Sequence, residues 1–180
     1  MATLTVIDEN IRQLRQGIDL VDRLTDQLYQ TTVGPCFNTG VGMHFRHILD
    51  YYSCFLAGID RSIDYDARER NELLSRDRSR AMGKSRRTID ELDVLRFQSG
   101  LLESRVMVRD NERDDGTGKP SPCHSTVGRE LKFLLSHTVH HFAIIAMMLR
   151  IQGFEPFEEF GIAASTIECR RRYATAKHEG

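Results

Sequence analysis

The stretch Leu131–Ile151, LKFLLSHTVHHFAIIAMMLRI, decides how this chain folds. Neither Gly nor Pro interrupts it between Glu130 and Gln152, so it reads as one long amphipathic helix. Each residue turns such a helix by about 100°, so positions can be placed around it with His137 as the origin. Phe133 then falls at about −40°, Ile144 at about −20°, Met148 at about +20°, His141 at about +40° and Leu134 at about +60°. Two histidines one turn apart stand inside an apolar stripe, and His140 lies at its edge, at about −60°. An imidazole in such a place must be hydrogen-bonded or must hold something.

Working outward, Ser125 or Thr126 caps this helix, with Glu130 following in capping-box style, and Gly153 ends it. Upstream, Cys123–Thr126 and Ser104–Asn111 read as the two strands of a small hairpin around the turn-rich Glu112–Pro122. Thr88–Leu102 is a third helix. The charge-dense Asp60–Arg87 has too little apolar periodicity for a long core helix and reads as a solvated crossover connection with room for a short helical turn. The alternative is that Tyr65, Arg68 or Arg70 folds over a pocket to meet an anionic substrate. Further back, VGMHFRHILDYYSCFLAGI over Val41–Ile59 is the second helix, and Gly58 on its inner face would admit a neighbouring helix. Thr31–Gly40 is a loop, and Ile7–Tyr29 is the first helix, capped by Asp8 or Thr5. Downstream, Phe154–Phe160 is a loop and Ala163–Tyr173 a short last helix whose Arg170–Arg172 cluster suits a helix C-terminus or an acidic partner. Four main helices, a long crossover and a hairpin predict an all-α, single-domain four-helix bundle over residues 1–180.

Composition narrows the function. A net charge of −1 argues against a nucleic-acid binder. No secretory signal is expected from MATLTVIDENIRQL, and the longest apolar run, Phe142–Leu149, is too short to span a bilayer. The four cysteines form no Cys-x-x-Cys, which suits reduced thiols in a cytoplasmic protein.

The second helix can be placed in the same way with His47 as the origin. Met43, Tyr51, Cys54 and Gly58 fall within about 40° of it, His44 lies at about +60° and Asp50 at about −60°. His47 is thus a third histidine on a core-facing stripe. Two helix-borne histidines spaced His-x-x-x-His, joined by one from a neighbouring helix, make a facial metal set with a coordination position left open. By geometry His140 could replace His141, and His44 could compete with His47, although a rim or supporting place suits His44 better. Buried histidines hydrogen-bonded to carbonyls are the plain alternative.

The pieces His47-Ile48-Leu49-Asp50 and His137-Thr138-Val139-His140-His141, followed by Ile144–Gly153, resemble the DinB/YfiT-like superfamily of metal-dependent enzymes. The resemblance covers nearly the whole chain. It implies an up-down-down-up bundle, a metal held by His47, His137 and His141, and a homodimer. Phe142-Ala143-Ile144 departs from the Arg-Gly-Gln that many members carry after the paired histidines. Characterised members include thiol-dependent transferases and isomerases using bacillithiol or mycothiol, beside the damage-inducible proteins that name the family.

The expected activity is that of a metal-dependent hydrolase or thiol transferase acting on a small molecule, with Asp50 handling protons. The metal would be divalent: zinc or nickel first, iron or manganese next. A non-catalytic module, metal-stabilised or metal-free, in a stress or interaction role, is the competing expectation. Glu130 could orient a ligand or serve the helix N-terminus. Tyr51 could line a cavity or fill the core, and Cys54 reads as a buried thiol rather than a soft ligand. Neither nucleic acid nor membrane is an expected partner.

Overall fold

The computed structural model describes residues 5–36, 38–109 and 122–178. The described chain is mostly helical. Its helices are α1 (Val6–Arg23), α2 (Asp26–Gln30), α3 (Val41–Gly58), α4 (Glu72–Arg76), α5 (Arg78–Leu95), α6 (Val127–Ile151) and α7 (Ala164–His178). Strands β1 (Thr32–Val33) and β2 (Thr39–Gly40) form a two-residue antiparallel ladder inside the expected loop. Strands β3 (Ser62–Asp64), β4 (Arg105–Arg109) and β5 (Cys123–Thr126) form a small sheet in the order β3-β4-β5.

The four long helices carry the core. α1 packs against α5 and α6, and α3 packs against the same two. Arg96, just past the end of α5, pairs with Asp8 near the start of α1 at 2.5 Å. Asn10 on α1 donates to the Leu131 carbonyl near the start of α6 at 3.0 Å, and a Cβ on Gly17 would meet Phe142 further along both helices. Between α3 and α6 the order reverses: His44 faces His141, and Tyr51 faces Phe133. A buried polar knot ties three helices together. Tyr52 donates to Asn10 Oδ1 at 2.6 Å and meets Thr138 Oγ1 at 3.2 Å, while Asn10 also donates to the Val6 carbonyl. Every polar atom of that Asn side chain is satisfied, which is why it can be fully buried.

Several expectations shift. The first helix breaks at Leu24 because Thr25 turns extended and caps α2, accepting the Leu28 N–H. Thr5 caps α1 in a capping box with Asp8. Asp60–Arg87 is not a solvated connection: it holds β3, α4 and the first half of α5, which starts at Arg78 and ends at Leu95 instead of Leu102. The inward residues there are Ala81, Ser85 and Thr88, small or polar, so the apolar period was weak. Ser85 answers its own burial by donating to the Ala81 carbonyl. Gly58 admits a strand rather than a helix, since a Cβ there would stand 2.7 Å from the Ile63 Cα.

The expected hairpin is present as β4 and β5, with Val106 and Val108 inward and Val106 opposite Ser125. Its outer part and most of the Glu112–Pro122 turn fall outside the described residues. β3 joins β4 in parallel, Ile63 opposite Val108, and so hangs the Tyr65–Arg70 connection beside α3. α7 runs beyond Tyr173 to His178, and Arg171 and Arg172 near its middle pair with Glu159 and Glu168.

By length and mean hydropathy α6 could cross a bilayer. Leu131, Leu134, Phe142, Ile145 and Leu149 on it are nonetheless buried against the other helices, while Phe133, Met147 and Ile151 are exposed. These residues shift the picture of the helix face. Its core side centres about 100° from His137, near Thr138, and the histidines sit on its flank. α3 repeats the arrangement: Ile48, Tyr52 and Phe55 are buried, while His47 stands to one side and Met43 is exposed.

Candidate metal centre

Three imidazoles meet on the flank where α3 and α6 face each other. His47 Nε2 lies 3.1 Å from His137 Nε2, and His141 Nε2 lies 3.1 Å from the same atom. The ligand atoms of all three fall within 4.8 Å of one another. Imidazole nitrogens around a tetrahedral zinc stand about 3.3 Å apart, given zinc–nitrogen bonds of about 2.05 Å. The spacing therefore fits a single divalent ion. The helix period produces it: His137 and His141 are one turn apart on α6, and His47 comes from the antiparallel run of contacts along α3.

Burial is the main cause that pushes the pKa values of all these rings down: His47 and His137 to about 4 and His141 to about 2. The Arg68 guanidinium adds to the effect at His47. At neutral pH the rings carry no charge, so each has one nitrogen lone pair to offer.

His44 does not compete with His47; it supports His141. Thr39 donates its hydroxyl hydrogen to the Cys36 carbonyl at 2.7 Å, so its oxygen accepts from His44 Nε2 at 2.9 Å. His44 is neutral too, its pKa also lowered by burial, and its Nδ1 is then bare. That atom accepts from His141 Nδ1 at 2.9 Å. The proton of His141 is thereby held on Nδ1, and its Nε2 lone pair faces the other two rings. His140 is exposed and meets His141 in a ring contact at 5.2 Å.

Asp50 is buried one turn beyond His47, and burial raises its pKa. Its carboxylate lies 4.0 Å from Arg46 Nε, and among the described residues no hydrogen bond joins it to an imidazole. Cys54 is a half-buried thiol whose pKa burial also raises, and it stands outside the three-histidine group. Glu130 is not a capping-box residue. Thr126 caps α6 by accepting the Arg129 N–H, and Glu130 comes one position later. Its carboxylate accepts instead from Ser125 at 2.5 Å and Tyr65 at 3.0 Å.

The residues that pattern reading undervalued come from the Asp60–Arg87 segment. Tyr65 stacks on Tyr51, and Tyr51 packs against His137 with centroids 4.2 Å apart and the rings tilted by 30°. Arg68 lies over the Tyr51 ring and reaches His47 Nδ1 at 3.2 Å. Arg70, the third residue named there, is exposed. A cavity of about 760 Å³ opens beside these rings, walled by Tyr51, Tyr65 and Phe133, with Arg129 and Lys132 at its rim and His137 on its wall. Tyr51 is therefore a cavity residue. Comparison of the sequence with family models finds none that matches, and comparison with curated proteins finds no match.

Proposed function

We propose that this protein is a metal-dependent enzyme of the hydrolase or thiol-transferase type, with His47, His137 and His141 as the metal ligands. The observation that carries the reading is three uncharged Nε2 atoms converging beside a cavity large enough for a small molecule. A bound divalent ion, zinc or nickel before iron or manganese, would supply the Lewis acidity that makes a thiol or water acidic near neutral pH. The protein's own contributions are positional. His44 orients His141, Tyr51 packs against the His137 ring, and Asp50 is the proposed proton carrier, its raised pKa suiting that task.

The helix contacts support the DinB-like up-down-down-up bundle as the single domain. The Asp8–Arg96 pair suits opposed α1 and α5, Asn10 and Gly17 suit parallel α1 and α6, and the His44–His141 contact suits opposed α3 and α6. A homodimer in the cytoplasm with a low-molecular-weight thiol as co-substrate belongs to the same proposal.

The deciding experiment is elemental analysis of protein purified without an affinity tag, followed by a thiol-transfer screen with the metal found. About one equivalent of metal is expected in the natural protein and none in His137→Ala. Near-stoichiometric metal in the variant would remove the ligand assignment. A second reading draws on the Arg68–His47 contact, which satisfies His47 with no ion: a metal-free module. It predicts metal-free fresh protein whose melting temperature is untouched by chelators.

A further inference from the structure

Arg68 sits on the wrong nitrogen for a passive neighbour of a metal ligand. A guanidinium has only donors. At 3.2 Å from Arg68, His47 Nδ1 must therefore be the acceptor, and the single proton of the neutral ring lies on Nε2. Nε2 is the atom aimed at His137 and the shared point. To bind an ion there, His47 must move that proton to Nδ1, where it would confront the arginine's own N–H. The contact with Arg68 and coordination by His47 exclude each other.

The guanidinium has somewhere else to act. It lies 5.1 Å over the Tyr51 ring, its Nε is buried without a partner among the described residues, and no described carboxylate forms an ion pair with it. Its backbone belongs to an irregular connection between β3 and α4, so the side chain can shift without disturbing a helix. Tyr51, under the guanidinium, also lines the cavity together with Tyr65 and Phe133, and that lining is mixed, with the cations Arg109, Arg129 and Lys132 and the carboxylates Asp66 and Glu130.

We infer that Arg68 is a latch on the metal centre and the anion-binding residue of its substrate: metal binding frees it from His47, and the released guanidinium takes the carboxylate of a substrate with an apolar or aromatic body. The inference rests on the three-histidine metal reading and names the class of substrate that this site accepts. A planar fork of donors matches a carboxylate in two parallel hydrogen bonds, and the stacked tyrosine keeps that fork desolvated. The metal-free state holds the cation against His47, where it repels an incoming ion. The loaded state turns the same charge toward substrate. Metal and carboxylate then favour one another through Arg68.

The test is zinc and benzoate titration calorimetry on the full chain and its Arg68→Gln, Arg68→Met and Arg68→Lys variants. Gln can accept the His47 Nδ1 proton, Met is neutral, and Lys remains a charged donor. Arg68→Gln should bind zinc about tenfold or more tightly than the natural protein, Arg68→Met somewhat less so, and Arg68→Lys much like the natural protein. Nitrogen-15 spectra of the metal-free natural protein should place the His47 proton on Nε2, moving to Nδ1 on zinc binding. Benzoate should bind the zinc-loaded natural protein at least about fivefold better than zinc-loaded Arg68→Gln. Equal or weaker zinc binding by Arg68→Gln overturns the latch, and equal benzoate affinity overturns the anion role. If no chain binds zinc, the metal reading falls and takes the latch with it. If all bind zinc equally, the three-histidine site stands and only the role of Arg68 falls.

Discussion

His44 shows how a single side chain acts at this centre without touching an ion. Its two nitrogens are both engaged, one by Thr39 and one by His141, and together they leave one arrangement of protons. His44→Ala should weaken metal binding by about 10- to 100-fold, measured by competition with a chelating dye, while the fold stays intact by circular dichroism. Unchanged affinity would mean that His141 needs no orienting partner. Tyr52 tests the buried knot in the same way. Tyr52→Phe removes the donor to Asn10 Oδ1 and should cost about 1–3 kcal/mol in urea unfolding. The residues of both networks were visible as a histidine beside the inner stripe of α3 and an aromatic on the same helix, but their proton order was not. Which nitrogen donates depends on Thr39, Cys36 and Asn10, and none of them marks itself as a partner in any local pattern.

At the scale of elements, the site depends on α3 being gripped closely from one side. A Cβ on Gly42 would stand 2.1 Å from the Ser75 carbonyl oxygen at the end of α4. Gly42→Ala should therefore destabilise the protein by about 1–3 kcal/mol or more, read from the shift in thermal unfolding. It should also loosen metal binding, since His44 and His47 follow Gly42 on the same helix and would shift with it. Thr126→Ala removes the cap of α6 and should cost about 1 kcal/mol, with little effect on metal affinity because the histidines lie three turns further on. α6 could be read residue by residue because its apolar positions repeat strongly and nothing breaks it. The first half of α5 could not: a stretch that buries Ala81 and Ser85 has no apolar period to betray it, unlike the Ile89, Leu92 and Leu95 that follow. Its charged outer face dominated the pattern, and only packing against α1 and α3 made those small residues core.

For the whole molecule, the centre should make stability depend on metal and on pH. An ion that binds only the folded chain should add about 2.7 kcal/mol when present at 100 times its dissociation constant, and a chelator should reverse the gain. Melting temperatures with and without zinc measure it. In metal-free protein the sign follows from depressed histidine pKa values. The unfolded chain takes up protons near about pH 6.5, whereas folded His47 and His137 resist protonation until about 4 and His141 until about 2. Stability from these rings is thus complete above about pH 6.5 and drains away as pH falls through 4. Half-burial discounts the effect to roughly 1–2 kcal/mol between pH 7 and 5. A melting temperature independent of pH over that range would show that the rings are not desolvated.

By itself the sequence determined the helical class, the long last core helix, the β4–β5 pairing and the three histidines, because each is written in local periodicity and spacing. A turn of about 3.6 residues aligns His137 with His141 whatever surrounds them. Tertiary structure alone decided that the histidines flank the core rather than fill it, that His44 serves His141, and that Arg68 comes to rest on His47. Those outcomes depend on residues 21 to 97 positions apart meeting in space, and no local pattern carries the free energy that brings them together.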